Sequence, residues 1–356
     1  MNNIKRIQEK LVEKELDAVL VTDEKNQRYA CGFPFTDGLV FVSRDSAYLI
    51  TDSRYIEAAE KASGDCCKVQ LYDREKPLFA LLKAAIAETG AKKIGAEEKK
   101  LSYNDYSAYE NRLGMKLLPA QSVFEELRQS KNEEELAAMR EAQAISEAAL
   151  DEVLYIIKPG MTEREVAAEL VYRMLRHGSE GNSFDPIVVT GKKTSMPHGV
   201  PGDEIIRDGD FVTMDFGSLK HGYCSDMTRT VAVGHVTDEM RNIYDTVLKA
   251  QLAGIAAAKA GVPGRDIDGA ARKVIADAGY GQYFGHGFGH SLGLDIHEAP
   301  NANPRGETPM PVGAVVSAEP GIYIPGKYGV RIEDVVIIRE GGCEIITKAP
   351  KQLIIL

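Results

Sequence analysis

Asp208-Gly-Asp-Phe-Val-Thr-Met-Asp-Phe-Gly217 has a counterpart 104 residues later, Val312-Gly-Ala-Val-Val-Ser-Ala-Glu-Pro-Gly321. Each reads as a turn glycine, an apolar strand, a carboxylate near the strand end and a glycine two residues beyond. Working outward, Lys158-Pro-Gly-Met-Thr-Glu-Arg-Glu-Val166 resembles Lys259-Ala-Gly-Val-Pro-Gly-Arg-Asp-Ile267 at an offset of 101. His198-Gly-Val-Pro201 resembles His297-Glu-Ala-Pro300 at an offset of 99. Units of about 100 residues are too long for a solenoid repeat. They predict one helix–helix–strand half used twice, in a domain with a pseudo-two-fold axis; chance matching of short Gly/Pro-rich segments is the plain alternative.

The repeat sets Asp215 opposite Glu319 and Asp226 roughly opposite Glu333. Asp215 and Asp226 are eleven residues apart, which fits two adjacent strands, Phe211 to Asp215 and Tyr223 to Val233, around a turn at Lys220-His-Gly222. Gly285 to Glu298 carries three histidines, His286, His290 and His297, and four glycines, which let backbone pass close to a ligand. Glu319 ends the apolar run Ala314 to Ala318, where an unpartnered buried carboxylate is costly. Arg331 and Glu333 share one strand face. Each feature alone has an ordinary explanation: solvated turn acids, surface histidines, a cross-strand ion pair. Together they form a set of four carboxylates and one imidazole, which suits Mn, Co or Zn and not a thiolate-rich structural zinc site. Two divalent cations balance four carboxylates and generate a hydroxide nucleophile at neutral pH.

The remainder of the chain sets bounds. It has 356 residues, 44% hydrophobic and 27% charged, as expected for a globular protein of two domains or one large one. A net charge of −10 without a basic stripe excludes a nucleic-acid or anionic-membrane binder. The five scattered cysteines fit a reducing compartment, and neither a signal peptide nor an apolar span is expected, so the protein is placed in the cytoplasm. Residues 3 to 16 read as an amphipathic helix. Strands are predicted at 18–22, 39–43, 47–51, 68–72 and 93–95, with helices at 78–88 and 104–112. Near residue 124 the pattern changes. Ser130-Lys-Asn-Glu133 and Thr162-Glu-Arg-Glu165 read as capping boxes opening helices to about Ile157 and His177. The domains are set at 1–124 and 125–356.

In this order, over residues 198 to 334, the motifs closely resemble the aminopeptidase P, prolidase and methionine aminopeptidase superfamily. Tyr48-Leu-Ile-Thr-Asp-Ser-Arg-Tyr55 resembles the N-terminal domain of Xaa-Pro peptidases and creatinases, which disfavours the methionine aminopeptidase branch. The resemblance implies an α/β (α+β) protein: a creatinase-like N-terminal α/β domain followed by a pita-bread catalytic domain. It implies two metal ions, usually Mn or Co and sometimes Zn, with Asp226 and Glu333 bridging, Asp215 on one, and His290 and Glu319 on the other. It also implies Glu319 as proton shuttle, His198 and His297 holding the tetrahedral intermediate and the substrate carbonyl, His286 near the substrate, and Arg331 steadying either the ligand network or the substrate's C-terminal side. The implied reaction is hydrolysis of small peptides with proline second, by a metal-bridging hydroxide, in a homodimer. Prolidase-type dipeptidase activity is favoured over aminopeptidase P action on longer peptides. A metal-free creatinase-like hydrolase and a non-enzymatic peptide-binding relative are less expected, because no ligand position departs from the pattern.

Overall fold

The computed structural model describes residues 2–356 and divides into two compact units, Met1–Arg128 and Gln129–Leu356. The first unit is a mixed six-stranded sheet with helices. Its elements are α1 (Ile4–Glu13), β1 (Ala18–Val21), α2 (Glu24–Cys31), β2 (Gly38–Ser43), β3 (Ala47–Thr51), α3 (Ile56–Ser63), β4 (Lys68–Leu71), α4 (Leu78–Thr89), β5 (Ile94–Ala96), α5 (Tyr103–Leu113), β6 (Leu118–Pro119) and α6 (Gln121–Leu127). The strand order is β4-β3-β2-β1-β5-β6, with β1–β2 and β2–β3 antiparallel and the other pairs parallel. Helices α2 and α3 had no clear periodic signal. α6 belongs to this unit: Arg6 donates to the Leu127 carbonyl and Lys10 pairs with Glu126.

The second unit shows the duplication as matching element order. The first half is α7 (Glu133–Leu154), α8 (Glu163–Arg176), β7 (Ile187–Thr190), β8 (Phe211–Phe216), the short hairpin β9 (Leu219–Lys220)/β10 (Tyr223–Cys224), and β11 (Met227–Ala232). The second is α9 (Asp238–Ala257), α10 (Gly264–Asp277), β12 (Gly289–Ser291), β13 (Glu298–Ala302), β14 (Val315–Ala318), the hairpin β15 (Gly321–Ile324)/β16 (Tyr328–Arg331), β17 (Asp334–Arg339) and β18 (Gly342–Ile345). The strands form sheets ordered β11-β8-β7 and β13-β12-β14-β17-β18. Equivalent backbone bonds recur. Gly160 N–H donates to Ile206 O and Gly261 N–H to Met310 O; Gly209 N–H donates to Val233 O and Gly313 N–H to Ile338 O. Each half has its own apolar core. Leu150, Val166, Leu170 and Met174 pack on Val188, Val212 and Met214 in one. Val247, Ile267, Ala271 and Ile275 pack with Val316, Ile332 and Val336 in the other.

Three local expectations are corrected. The return strand expected from Tyr223 to Val233 is broken at Ser225–Asp226, because the Ser225 hydroxyl is held by the Ser218 backbone N–H and by Ser146. The capping box of α7 sits two residues later than expected. Asn132 caps the helix reciprocally with Glu135, while the Ser130 hydroxyl donates to the Val312 carbonyl. The halves are also out of step at the strands: Asp215 is paired within β8 and lies opposite Thr228, whereas the β14–β17 ladder ends at Ala318–Asp334, so Glu319 and Glu333 both lie just outside it. The Thr162–Glu165 box is present as expected.

Candidate metal centre

Asp215 occupies β8 and Asp226 the residue before β11, so the split hairpin brings both to one end of the first sheet. Glu319 follows β14, and Glu333 lies between β16 and β17. The Glu319 N–H donates to Phe288 O and the Glu333 N–H to Thr228 O, which anchors both carboxylate-bearing residues. His290 is the middle residue of β12. Gly289 makes that placement possible, since a Cβ there would stand 1.9 Å from the Ser317 carbonyl oxygen. All nine residues singled out from the sequence line a single cavity of about 460 Å3. His198 and His297 are exposed on its wall, and the His297 ring meets the His290 ring edge-on at 4.4 Å.

Asp226, His290 and Glu333 offer ligand atoms all within 4.8 Å of one another. Glu319 Oε1 is 3.4 Å from His290 Nε2, and Asp226 Oδ2 is 3.5 Å from the same nitrogen. Those spacings would be ion pairs with a protonated imidazole, but burial lowers the His290 pKa and keeps the ring neutral. His290 Nδ1 lies 3.2 Å from the Ser291 carbonyl, which can only accept, so the ring proton sits on Nδ1. The Nε2 lone pair then faces two carboxylates. Asp215 stands slightly apart, its Oδ2 accepting from Arg331 Nη2 at 2.6 Å.

This donor set fits divalent cations. Among the described residues, Asp215 Oδ1 and Glu333 Oε1 are buried side-chain oxygens without a hydrogen-bond partner. Burial, reinforced by Asp215 and Glu319, holds the Asp226 carboxyl well above its ordinary range. Burial, with Asp226 as the next cause, does the same to Glu333. Burial, opposed by His286 and Arg331, raises Glu319 less. Four carboxylates crowd one guanidinium, leaving a shortage of positive charge that cations would meet.

Several functional side chains had no role assignable from the sequence. The Thr228 hydroxyl accepts from Arg331 Nε at 3.0 Å and donates to Glu333 Oε2 at 2.7 Å. Its signal was alternation, two residues after Asp226 on the same strand face. Ser317 donates to Glu319 Oε1 at 3.1 Å. The Tyr323 hydroxyl accepts from Arg331 Nη1 and lies 2.9 Å from His286 Nε2. His286 Nδ1 faces the Gly287 carbonyl at 2.9 Å, so Nδ1 carries the proton and Tyr323 donates to Nε2. Burial lowers the His286 pKa and holds that ring neutral.

A model of metallopeptidase family M24 matches residues 137–340, and a creatinase/prolidase N-terminal domain model matches residues 3–130. Among solved structures, a Xaa-Pro dipeptidase from Bacillus anthracis is 42% identical with a TM-score of 0.95, covering 99% of each chain. An X-Pro aminopeptidase from Thermotoga maritima is 35% identical with a TM-score of 0.91, covering 100% of each. A Xaa-Pro dipeptidase of Pyrococcus horikoshii is 34% identical over 353 residues, 99% of this chain and 98% of that protein. With two half-domains converging on buried carboxylates and full-length likeness to these enzymes, the chain belongs to metallopeptidase family M24, with a creatinase/prolidase-type N-terminal domain.

Proposed function

We propose that this chain is an exopeptidase that removes the first residue from peptides with proline in second position, using two divalent cations held by Asp215, Asp226, His290, Glu319 and Glu333. The observation that carries the reading is the buried cluster in which an open imidazole nitrogen and two orphaned carboxylate oxygens face four acids and one arginine. The names of the relatives, dipeptidases and an aminopeptidase, support the Xaa-Pro substrate. The same reading takes manganese as the first-choice metal and the protein as a cytoplasmic homodimer. Between the two substrate lengths, the dipeptidase form is put forward. Stronger kcat/KM on Arg-Pro-Pro than on Ala-Pro reverses that choice.

When bound, the cations would supply an activated water and polarise the scissile carbonyl. The chain's own groups do the rest. Glu319 Oε1 is engaged by Ser317, so Oε2 is the oxygen that takes a proton from the attacking water and delivers it to the leaving prolyl nitrogen. Partial desolvation at the cavity wall, with His290 and His198 nearby, lowers His297, so it acts as a neutral N–H donor, and His198 faces the same cavity; together they hold the carbonyl oxygen as charge develops on it. Proline's tertiary amide offers no N–H, so recognition rests on shape. Arg331 steadies Asp215, Thr228 and Tyr323 at once.

Chelation with EDTA is expected to abolish activity and lower the unfolding temperature, since it removes ligands of the native state alone. Manganese, cobalt or zinc added back singly restores it to different extents. Full activity in a metal-stripped sample refutes the mechanism. Tyr323→Phe removes only the hydroxyl that orients His286. Its expected effect is a fall in kcat of roughly ten- to a hundredfold, typical for loss of an orienting partner. Unchanged kcat would remove Tyr323 from the machinery.

A further inference from the structure

One carboxylate on the cavity wall has no part in the scheme above. Asp185 is exposed to the cavity and, among the described residues, has no hydrogen bond or ion pair. Its backbone is nevertheless fixed on both sides. The Ser183 N–H donates to Gly217 O at 3.0 Å and the Ser183 hydroxyl to Ser225 O at 2.8 Å, on the turn between Asp215 and Asp226. Two residues beyond, Ile187 pairs with Asp215 itself. A side chain on so rigid a segment is positioned, as a recognition group must be.

The surroundings suit a long cationic side chain. Phe184, Ile187 and Ile296 line the same cavity and offer apolar surface to a methylene stem, the way lysine and arginine stems bury while their heads stay polar. The neighbouring recess of about 580 Å3 meets this cavity at Pro197, His198 and His286, and is not lined by Phe184, Asp185, Ile187 or Ile296. An exopeptidase needs two such regions: one for the single residue removed, and another for proline and any later residues. Resting on the Xaa-Pro exopeptidase reading, we infer that Asp185 accepts the side-chain cation of a lysine or arginine in the first position of the substrate, and so sets a preference for basic first residues.

The test compares Lys-Pro with norleucyl-Pro, which has the same four-carbon stem without the charge, and the corresponding tripeptides ending in alanine. The wild-type protein is expected to favour the lysine peptides by about tenfold in kcat/KM, the worth of one charge-assisted hydrogen bond. In Asp185→Asn the ratio falls to about one, and in Asp185→Lys glutamyl-Pro overtakes lysyl-Pro, as reversal of a single charge contact requires. Because the ratio is internal to each variant, partial misfolding does not imitate the result. Free lysine should also inhibit wild-type protein more strongly than norleucine, and lose that advantage in Asp185→Asn. Equal ratios in wild type and Asp185→Asn overturn the inference while leaving the peptidase reading intact. Failure to cleave any of the four peptides overturns both.

Discussion

Asp226→Asn is expected to lower kcat/KM by roughly a thousandfold or more, at the upper end of what loss of one preorganised electrostatic group costs an active site. The substitution is nearly isosteric and lies where the first half contributes the second of its two carboxylates, just before β11. It removes one of four negative charges and replaces a carboxylate oxygen with an amide nitrogen that cannot ligate a cation. The effect on the metal-free protein runs the other way. Asp226 is buried beside Asp215 and Glu319, which together with burial push its carboxyl well above the usual range. Removing that charge relieves repulsion, so metal-free D226N should unfold at the same temperature as metal-free wild type or higher. Activity assays, metal content and thermal unfolding on one preparation check both halves. Retained peptidase activity sinks the ligand assignment, and a large loss of metal-free stability sinks the account of the cluster as a site short of positive charge.

Arg229→Ala is expected to cost about 3–5 kcal/mol of stability, the range for removing one partner of a buried, hydrogen-bonded charge pair. Arg229 is among the largest fully buried side chains. Its Nη2 donates to Asp334 Oδ1 at 2.8 Å and to Ala349 O at 2.7 Å, its Nη1 to Glu333 O and Thr228 O, and its Nε to Pro350 O. One guanidinium therefore joins β11, the corner carrying Glu333 and the C-terminal segment. That segment is bonded onward along β11, with Ala232 N–H donating to Ile354 O and Leu356 N–H to Ala232 O. Without Arg229, Asp334 keeps only Lys351 as its cationic partner. Urea unfolding of R229A, D334A and the double variant measures the coupling. If the double variant is destabilised by the full sum of the singles, the pair contributes nothing as a pair. Turnover should fall as well, because the Glu333 backbone loses one of its two anchors.

Much of the architecture is legible in the chain itself. The repeat is carried by spacing: Gly160 and Gly261, and Gly209 and Gly313, fill equivalent turns and make equivalent backbone bonds. The five candidate ligands are legible because hard ligands, strand ends and glycine-rich stretches coincide in one order; His198, His286, His297 and Arg331 take their roles from the family resemblance. Helices α2 and α3 are not, because eight-residue helices give little more than two turns of periodicity. The capping box of α7 is ambiguous in the sequence because Ser130, Asn132 and the following glutamates offer competing registers, and the Val312 carbonyl captures Ser130. Tyr323 and Thr228 lie within the motifs but gave no sign of their roles, which depend on where Arg331 reaches from another strand.

Residue order was therefore enough for the duplicated half-domain, the choice of five candidate ligands and the family resemblance. Each depends on local chemistry or on spacing along the chain, and both are written in the sequence. Tertiary structure decided the rest: which carboxylate oxygen is already occupied by Arg331, which imidazole nitrogen is left open, and that the strands of the two halves are out of step so that Thr228 meets Glu333. It also decided that Asp185 stands on the cavity wall without a partner among the described residues. These are properties of through-space neighbours more than a hundred residues apart or on different sheets. Only packing of the two cores fixes such neighbours to within a hydrogen bond.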